Sequence, residues 1–397
     1  MSKTKKVLLF FLIAALLTGI IPTAPEALPE PTADNAAAPI SPPASLSASA
    51  AVLMEAESGR LLYTKNADTP LPMASTTKIM TALVALECAS PDRVITVAPE
   101  AVGVEGSSVY LTEGEKLTLE DLLYALLLES ANDAATAIAI GLFQTTDAFA
   151  EQMNRKAAEL GLTNTHFTNP HGLDHPDHCT TARELAVIAQ AALKNQTFRT
   201  IVSTRKKTIP HSGEDGVRLL VNHNKLLRTY EGCIGVKTGY TKSSGRCLVS
   251  AAERDGVTLI AVTIRDPDDW REHSALLDYG FSLCRSVTLA GKGTIAVSLP
   301  VVGGTTESIT LTNREDCAVT LPRSAGTIRA VLEYRRFEYA PVSKDETLGE
   351  AVFYADCDGD GNCEVIARAP LLADTAVEKK TTQKGFFAWL RALFSGG

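Results

Sequence analysis

Positive charge is the first thing in short supply. The 397 residues carry 38 Lys and Arg against 46 Asp and Glu, a net charge of −8. A nucleic-acid binder is more often basic, so that class is set aside, while a local basic patch facing a membrane stays open. Cysteine is sparse as well. The eight present lack the density of a disulfide scaffold. Among them Cys357 and Cys363, on either side of a turn, are the best candidates for a cross-strand bridge. A bilayer-spanning run is also missing: Val7 to Ile21 is apolar but short of the roughly 20 residues a spanning helix needs. What remains, 45% apolar and 21% charged residues, is ordinary for a globular protein, with length enough for two domains.

Both ends read as targeting devices. Lys3, Lys5 and Lys6 followed by the apolar run make residues 1–27 a secretory signal. Ala27 would be its last residue. Pro25 at the −3 position fits the small-x-small rule poorly, so an uncleaved N-terminal anchor remains the alternative. Residues 28–48, rich in Pro, Ala and Ser without apolar period, read as a disordered tether. At the far end, residues 373–397 combine Lys379, Lys380 and Lys384 with Phe386, Phe387, Trp389, Leu390, Leu393 and Phe394. On a helix these make one apolar face suited to the membrane interface; docking on the chain's own domain is the alternative. Together the ends place the protein outside the cell, on the outer face of the cytoplasmic membrane.

The chain is organised around Pro72 to Leu83. Ile79, Met80, Leu83, Val84 and Leu86 recur at helical spacing, and Pro72 marks the lead-in. Ser75 and Lys78 are three apart and share one face of the first turn. A lysine in apolar surroundings loses pKa, and its neutral amine can take a serine proton. The same S-x-x-K pattern recurs at Ser2 and Ser203, so by itself it equally describes a helix cap and a surface lysine.

Two further pieces stand out. A capping-box-like Thr118 and Asp121 open a leucine-rich helix that ends at Glu129, and Ser130 and Asn132 lie at the junction with the next helix, Ala134 to Leu142. They either cap that helix or aim into a shared cleft. Cys233 to Gly239 reads as a strand whose Lys237 and Thr238 suit a carboxylate, with Gly239 allowing close approach. A solvated strand-end lysine is the plainer reading of that piece alone. With Cys247 to Ala251 and Val257 to Ile264 this strand forms an antiparallel sheet, followed by a helix, Trp270 to Phe281. Ala51 to Tyr63 reads as a hairpin, Ser107 to Leu111 as a strand, and Thr181 to Leu193 as a helix. The loop Asn169 to Cys179 holds His171, His175 and His178, but Pro176 interrupts them and no metal is expected. From about Val287 short apolar runs alternate with turns, giving a small all-β domain. Its Asp356, Asp358, Asp360 and Gly361 imitate a calcium loop, but Ala367 stands where the bidentate Glu is required, so the segment reads as a hairpin tip.

Taken together, Ser75-Thr76-Thr77-Lys78, Ser130-Ala131-Asn132 and Lys237-Thr238-Gly239 match in order and context the three motifs of penicillin-recognising serine enzymes. The chain resembles D-alanyl-D-alanine carboxypeptidases of the low-molecular-mass penicillin-binding type, peptidase family S11. The segments SGRLLYTKNADTPLPMASTTKIMTAL, NPHGLD, TTARELAVIA and NHNKLLRTYEGCIGVKTGYT carry the likeness over roughly residues 50–285. The resemblance implies an α+β fold, a β-lactamase/transpeptidase-like antiparallel sheet flanked by helices at residues 49–286, with the β domain at 287–372 as a spacer. It implies that Ser75 attacks the carbonyl between the last two D-alanines of a peptidoglycan stem, Lys78 is the base, Ser130 relays a proton and Asn132 orients the substrate. Lys237 and Thr238 would bind the terminal carboxylate, with Gly239 beside them, and the N–H groups of Ser75 and Tyr240 would form the oxyanion hole. No cofactor is implied. β-Lactams are expected to acylate Ser75.

Three rivals stay open. A class A β-lactamase carries a Glu after the second motif, and Thr163 to Gly172 has no carboxylate. A D,D-endopeptidase shares every motif. An inactive peptidoglycan-binding module would need no intact motifs, and all three are intact.

Overall fold

A computed structural model describes residues 40–211 and 216–380, with the backbone stretches Ile20–Pro22 and Glu26–Ala27. Most of the signal-like and tether segments and the aromatic terminal segment lie outside the described residues. Two compact units are present, residues 37–285 and a second built from 286–397 with residues 1–36.

The first unit is built on a five-stranded antiparallel sheet. Its strands are β1 (Ala50–Glu55), β2 (Leu61–Lys65), β3 (Cys233–Thr241), β4 (Gly245–Arg254) and β5 (Val257–Ile264), in the order β2-β1-β5-β4-β3. The strand β1 is buried throughout and apolar up to its final Glu55, because both faces of the sheet are covered. Ala50, Val52 and Met54 enter one core, and Ala51 and Leu53 the other. The period of two divides β5 the same way, with Ile260, Val262 and Ile264 opposite Leu259 and Ala261. Leu46 and Ala48, at the end of the Pro/Ala/Ser stretch, are already buried.

The larger core joins the sheet to helices α1 (Lys78–Cys88), α2 (Leu119–Leu128), α3 (Asn132–Phe143), α4 (Thr146–Glu159), α5 (Ala182–Leu193) and α6 (Gln196–Ser203). The smaller core lies under α7 (Asp269–Leu283). Thr118 caps α2 by accepting the Asp121 N–H at 3.1 Å, and its hydroxyl donates to the Asp121 carboxylate at 2.7 Å, which gives the expected N-cap with a side-chain bond as its return. Ser107 to Leu111, in contrast, forms no strand. The Asp133 carboxylate accepts the N–H groups of Val109 and Leu111 and the Ser108 hydroxyl, so a side chain takes the place of a partner strand.

In the second unit β6 (Cys284–Ala290) pairs with β9 (Cys317–Pro322), and β7 (Ala296–Val302), β8 (Ser308–Thr312), β10 (Arg329–Arg335), β12 (Thr347–Ala355) and β13 (Glu364–Ala373) form one sheet, with β11 (Glu338–Tyr339) along β7. Asp356 accepts the N–H groups of Gly359 and Gly361 in the tip joining β12 to β13, so this segment is a hairpin tip as expected. The expected Cys357–Cys363 bridge is corrected: neither cysteine is in a disulfide. Ala355 lies opposite Glu364, so Cys363 falls opposite Asp356 and Cys357 one position out of register. That offset turns the two side chains to opposite faces, one buried and one exposed.

Candidate active site

Ser75 lies in a 3-10 turn, Ala74–Thr77, that leads directly into α1. Lys78 is the first residue of that helix and is fully buried. Its Nζ is 2.9 Å from Ser75 Oγ, 2.7 Å from Asn132 Oδ1 and 2.5 Å from the His171 carbonyl. Burial holds the amine well below the usual lysine range, and the nearby Lys237 charge pushes it the same way against the opposing pull of Asp133. A neutral amine has two N–H groups and one lone pair. Two of its three neighbours are carbonyl oxygens that can only accept. The lone pair is therefore left to Ser75, whose hydroxyl becomes the donor. With the amine neutral, this geometry leaves Lys78 Nζ as acceptor and the Ser75 hydroxyl as donor.

Asn132 is held as firmly as the lysine it touches. Its backbone N–H donates to Ser107 O at 2.7 Å and its Nδ2 to Glu105 O at 2.6 Å. The helix-cap alternative does not hold, because Ala131 is the N-cap of α3 and no side chain caps it. Ser130 is buried between α2 and α3 with φ of +60°. The preceding Glu129 fixes this corner by accepting the Val221 N–H at 2.5 Å.

Strand β3 runs against the nucleophile's turn. A Cβ on Gly239 would lie 3.1 Å from Ser75 N and 3.2 Å from both Ala74 Cβ and Met73 O, so glycine is what allows this approach. Lys237 is buried, with Nζ donating to Thr238 O at 2.8 Å, and burial brings it down to about 7. It is not the solvated strand-end lysine of the plainer reading. Thr238 is half-buried and Tyr240 exposed. The structure thus brings Ser75, Lys78 and Asn132 into direct contact and packs β3 on the same turn.

The loop before α5 contributes what the sequence did not reveal. His171 acts through its carbonyl, which residue type does not signal. His178 Nδ1 accepts the Thr168 N–H at 3.1 Å, so its proton sits on Nε2 and donates to Thr77 Oγ1 at 2.8 Å. The Thr77 hydroxyl donates on to Ala74 O at 2.7 Å, bracing the turn that carries Ser75. Burial, more than the neighbouring His166, lowers His178 to about 4 and keeps it neutral. Among the described residues no cluster of His, Cys, Asp and Glu is arranged to hold a metal. The nearby Glu184 carboxylate accepts from Thr163 N, Asn164 N and the Thr165 hydroxyl, which fixes the loop instead of activating a water.

Comparison with known proteins agrees with this geometry. Residues 35–268 match the family model for D-alanyl-D-alanine carboxypeptidase, and residues 285–379 that for the C-terminal domain of penicillin-binding protein 5. The chain is 29% identical to D-alanyl-D-alanine carboxypeptidase DacF of Bacillus subtilis over 87% of this chain and 88% of that one. It is 38% identical to a D-alanyl-D-alanine carboxypeptidase of Streptomyces sp. strain K15 over 57% of this chain and 84% of the relative. The crystal structure of penicillin-binding protein 5 from Haemophilus influenzae superposes with a TM-score of 0.64 at 28% identity, covering 86% of this chain and all of that one. A serine in hydrogen-bond contact with one buried lysine and packed against an edge strand carrying another, in a chain matched over both units, makes this protein a member of the D-alanyl-D-alanine carboxypeptidase family, peptidase family S11.

Proposed function

We propose that Ser75, Lys78, Ser130, Asn132, Lys237, Thr238 and the backbone at Tyr240 together remove the terminal D-alanine from peptidoglycan stem peptides. The carrying observation is the contact of buried Lys78 Nζ with Ser75 Oγ at 2.9 Å while its other two neighbours are carbonyl acceptors. Ser75 Oγ attacks the carbonyl between the last two D-alanines as its proton passes to Lys78 Nζ. The N–H groups of Ser75 and Tyr240 take the developing oxyanion. Ser130 passes a proton to the leaving amine, D-alanine departs, and water hydrolyses the ester on Ser75. Lys237 and Thr238 hold the terminal carboxylate. The same steps make a β-lactam a covalent inhibitor, since its amide opens on Ser75 and the acyl group stays. Slow release is expected, because no free carboxylate in the loop from Thr163 to Gly172 prepares a water. The basic, apolar N-terminus and the aromatic, lysine-flanked C-terminus support action at the outer face of the cytoplasmic membrane, with the terminal segment as an interfacial helix.

The test is release of free D-alanine from a stem peptide ending in D-Ala-D-Ala, with Ser75→Ala alongside. Release by the wild type that vanishes in the variant supports the assignment. Cleavage only of cross-linked muropeptides would move the reading to an endopeptidase, and muropeptide binding with no acylation would move it to a binding module.

A further inference from the structure

Tyr110 occupies a backbone position that suits its side chain poorly. Its φ is +57°, in the left-handed region disfavoured for residues with a Cβ, and its side chain is 83% exposed. No packing offsets the conformation, yet the segment is held from two sides. Below it, the Ser108 hydroxyl donates to Asp133 at 2.6 Å and accepts the Tyr110 N–H at 2.9 Å. From the strand Val217–Val221, which pairs with Lys206–Pro210, buried Arg218 donates to Val109 O at 2.8 Å and Tyr110 O at 3.1 Å while paired with the Glu115 carboxylate. Val109 and Leu111 point inward, so the ring between them points out. A few residues upstream, Glu105 and Ser107 supply the carbonyls that fix Asn132. The backbone that carries the ring is therefore fixed by the same segment that holds Asn132. Val217 and Leu219, on either side of Arg218 in that strand, are exposed as well. A turn needed only for its shape would take Gly or Asn here.

We propose that Tyr110 is a specificity-determining residue whose ring receives an apolar part of the stem peptide upstream of the two D-alanines. This rests on the reading of the site given above. With the terminal carboxylate held by Lys237 and Thr238, the peptide ends at β3, and its remaining residues lie on the acyl side of Ser75. An aromatic contact there favours long substrates over short ones by about 5–10-fold.

The test compares kcat/KM for two peptides, a full stem pentapeptide and a short N-acylated D-Ala-D-Ala. Tyr110→Ala and Tyr110→Gly are expected to lower the long-to-short ratio about 5–10-fold. Tyr110→Phe keeps the ring and holds the ratio within about twofold, as does Tyr339→Ala, an exposed tyrosine of the second unit. Tyr110→Gly also raises the thermal midpoint by relieving the left-handed backbone, so a lower ratio in a more stable protein cannot be misfolding. An unchanged ratio in the Ala and Gly variants overturns the inference alone, as does an equal loss on both peptides. No release from either peptide by the wild type overturns the site reading and this inference with it.

Discussion

Replacing Gly106 by alanine puts a methyl group where the amide of Asn132 already lies. The new Cβ would stand 2.7 Å from Asn132 Nδ2, against an ordinary contact of about 3.5 Å. The amide has to retreat by about 0.8 Å. The displaced amide can no longer keep both its 2.6 Å bond to Glu105 O and its 2.7 Å bond to Lys78. Lys78 loses one of the two acceptors that direct its lone pair at Ser75. A hydrogen bond of this kind is worth about 1.5–3 kcal/mol, which is about 10–150-fold in rate. Gly106 also sits at φ +94°, so alanine adds about 1–2 kcal/mol of backbone cost and lowers the thermal midpoint by about 2–8 °C. The control is Gly103→Ala, at φ +74° with nothing within 4 Å of its Cβ. It shares the backbone cost and lacks the collision. The assay is the rate of acylation by a fluorescent penicillin beside thermal denaturation of both variants. Loss of acylation in Gly106→Ala but not Gly103→Ala is expected. If folded Gly106→Ala acylates at the wild-type rate, the argument that Asn132 sets the lysine's lone pair is wrong.

Lys78→Met removes the base without adding charge and should slow acylation by about 10²–10⁴-fold, measured with the same penicillin. Arg218→Met leaves the Glu115 carboxylate buried without its guanidinium, and a urea titration should show a loss of about 3–5 kcal/mol. His178 falls from 6.5 to about 4 through burial, so the unfolded chain binds the extra proton between those values. Its contribution is complete above pH 6.5 and lost as pH falls towards 4, about 3 kcal/mol that urea midpoints at pH 7 and pH 4.5 should reveal and His178→Gln should reduce. Lys237, lowered to about 7 by burial, is mostly neutral at pH 8, and a bound carboxylate favours its ammonium form. Titration of Ser75→Ala with a D-Ala-D-Ala peptide in buffers of different ionisation heat should show uptake of most of one proton at pH 8 and little at pH 6; no uptake at pH 8 would refute the clamp.

What was legible in the sequence followed the type of interaction. Helices α2 and α5 and the sheet strands declare themselves because their apolar spacing and caps are local, as Thr118 with Asp121 shows. Ser75, Lys78, Asn132 and Lys237 were legible only together, because each motif alone also had a plainer reading and it was their joint order that resembled a family. The supports were hidden for a different reason. The His171 carbonyl and those of Glu105 and Ser107 are backbone groups that every residue possesses. Asp133 erased a strand from Ser107 to Leu111 by serving as its hydrogen-bond partner, a contact no period reveals. Cys357 and Cys363 looked paired by their spacing, and only the register of β12 on β13 shows them facing apart.

Strand β3 ends its sheet, and an open edge is ordinarily where chains stick to one another. Here the Ser75 turn lies against that edge, with Gly239 setting how near it comes. A peptide that paired with β3 would pass beside that turn. Cover for the edge and reach of the nucleophile therefore depend on how the turn sits on β3. A mutation that lifts the turn off the strand to turn away an inhibitor would also unguard the sheet.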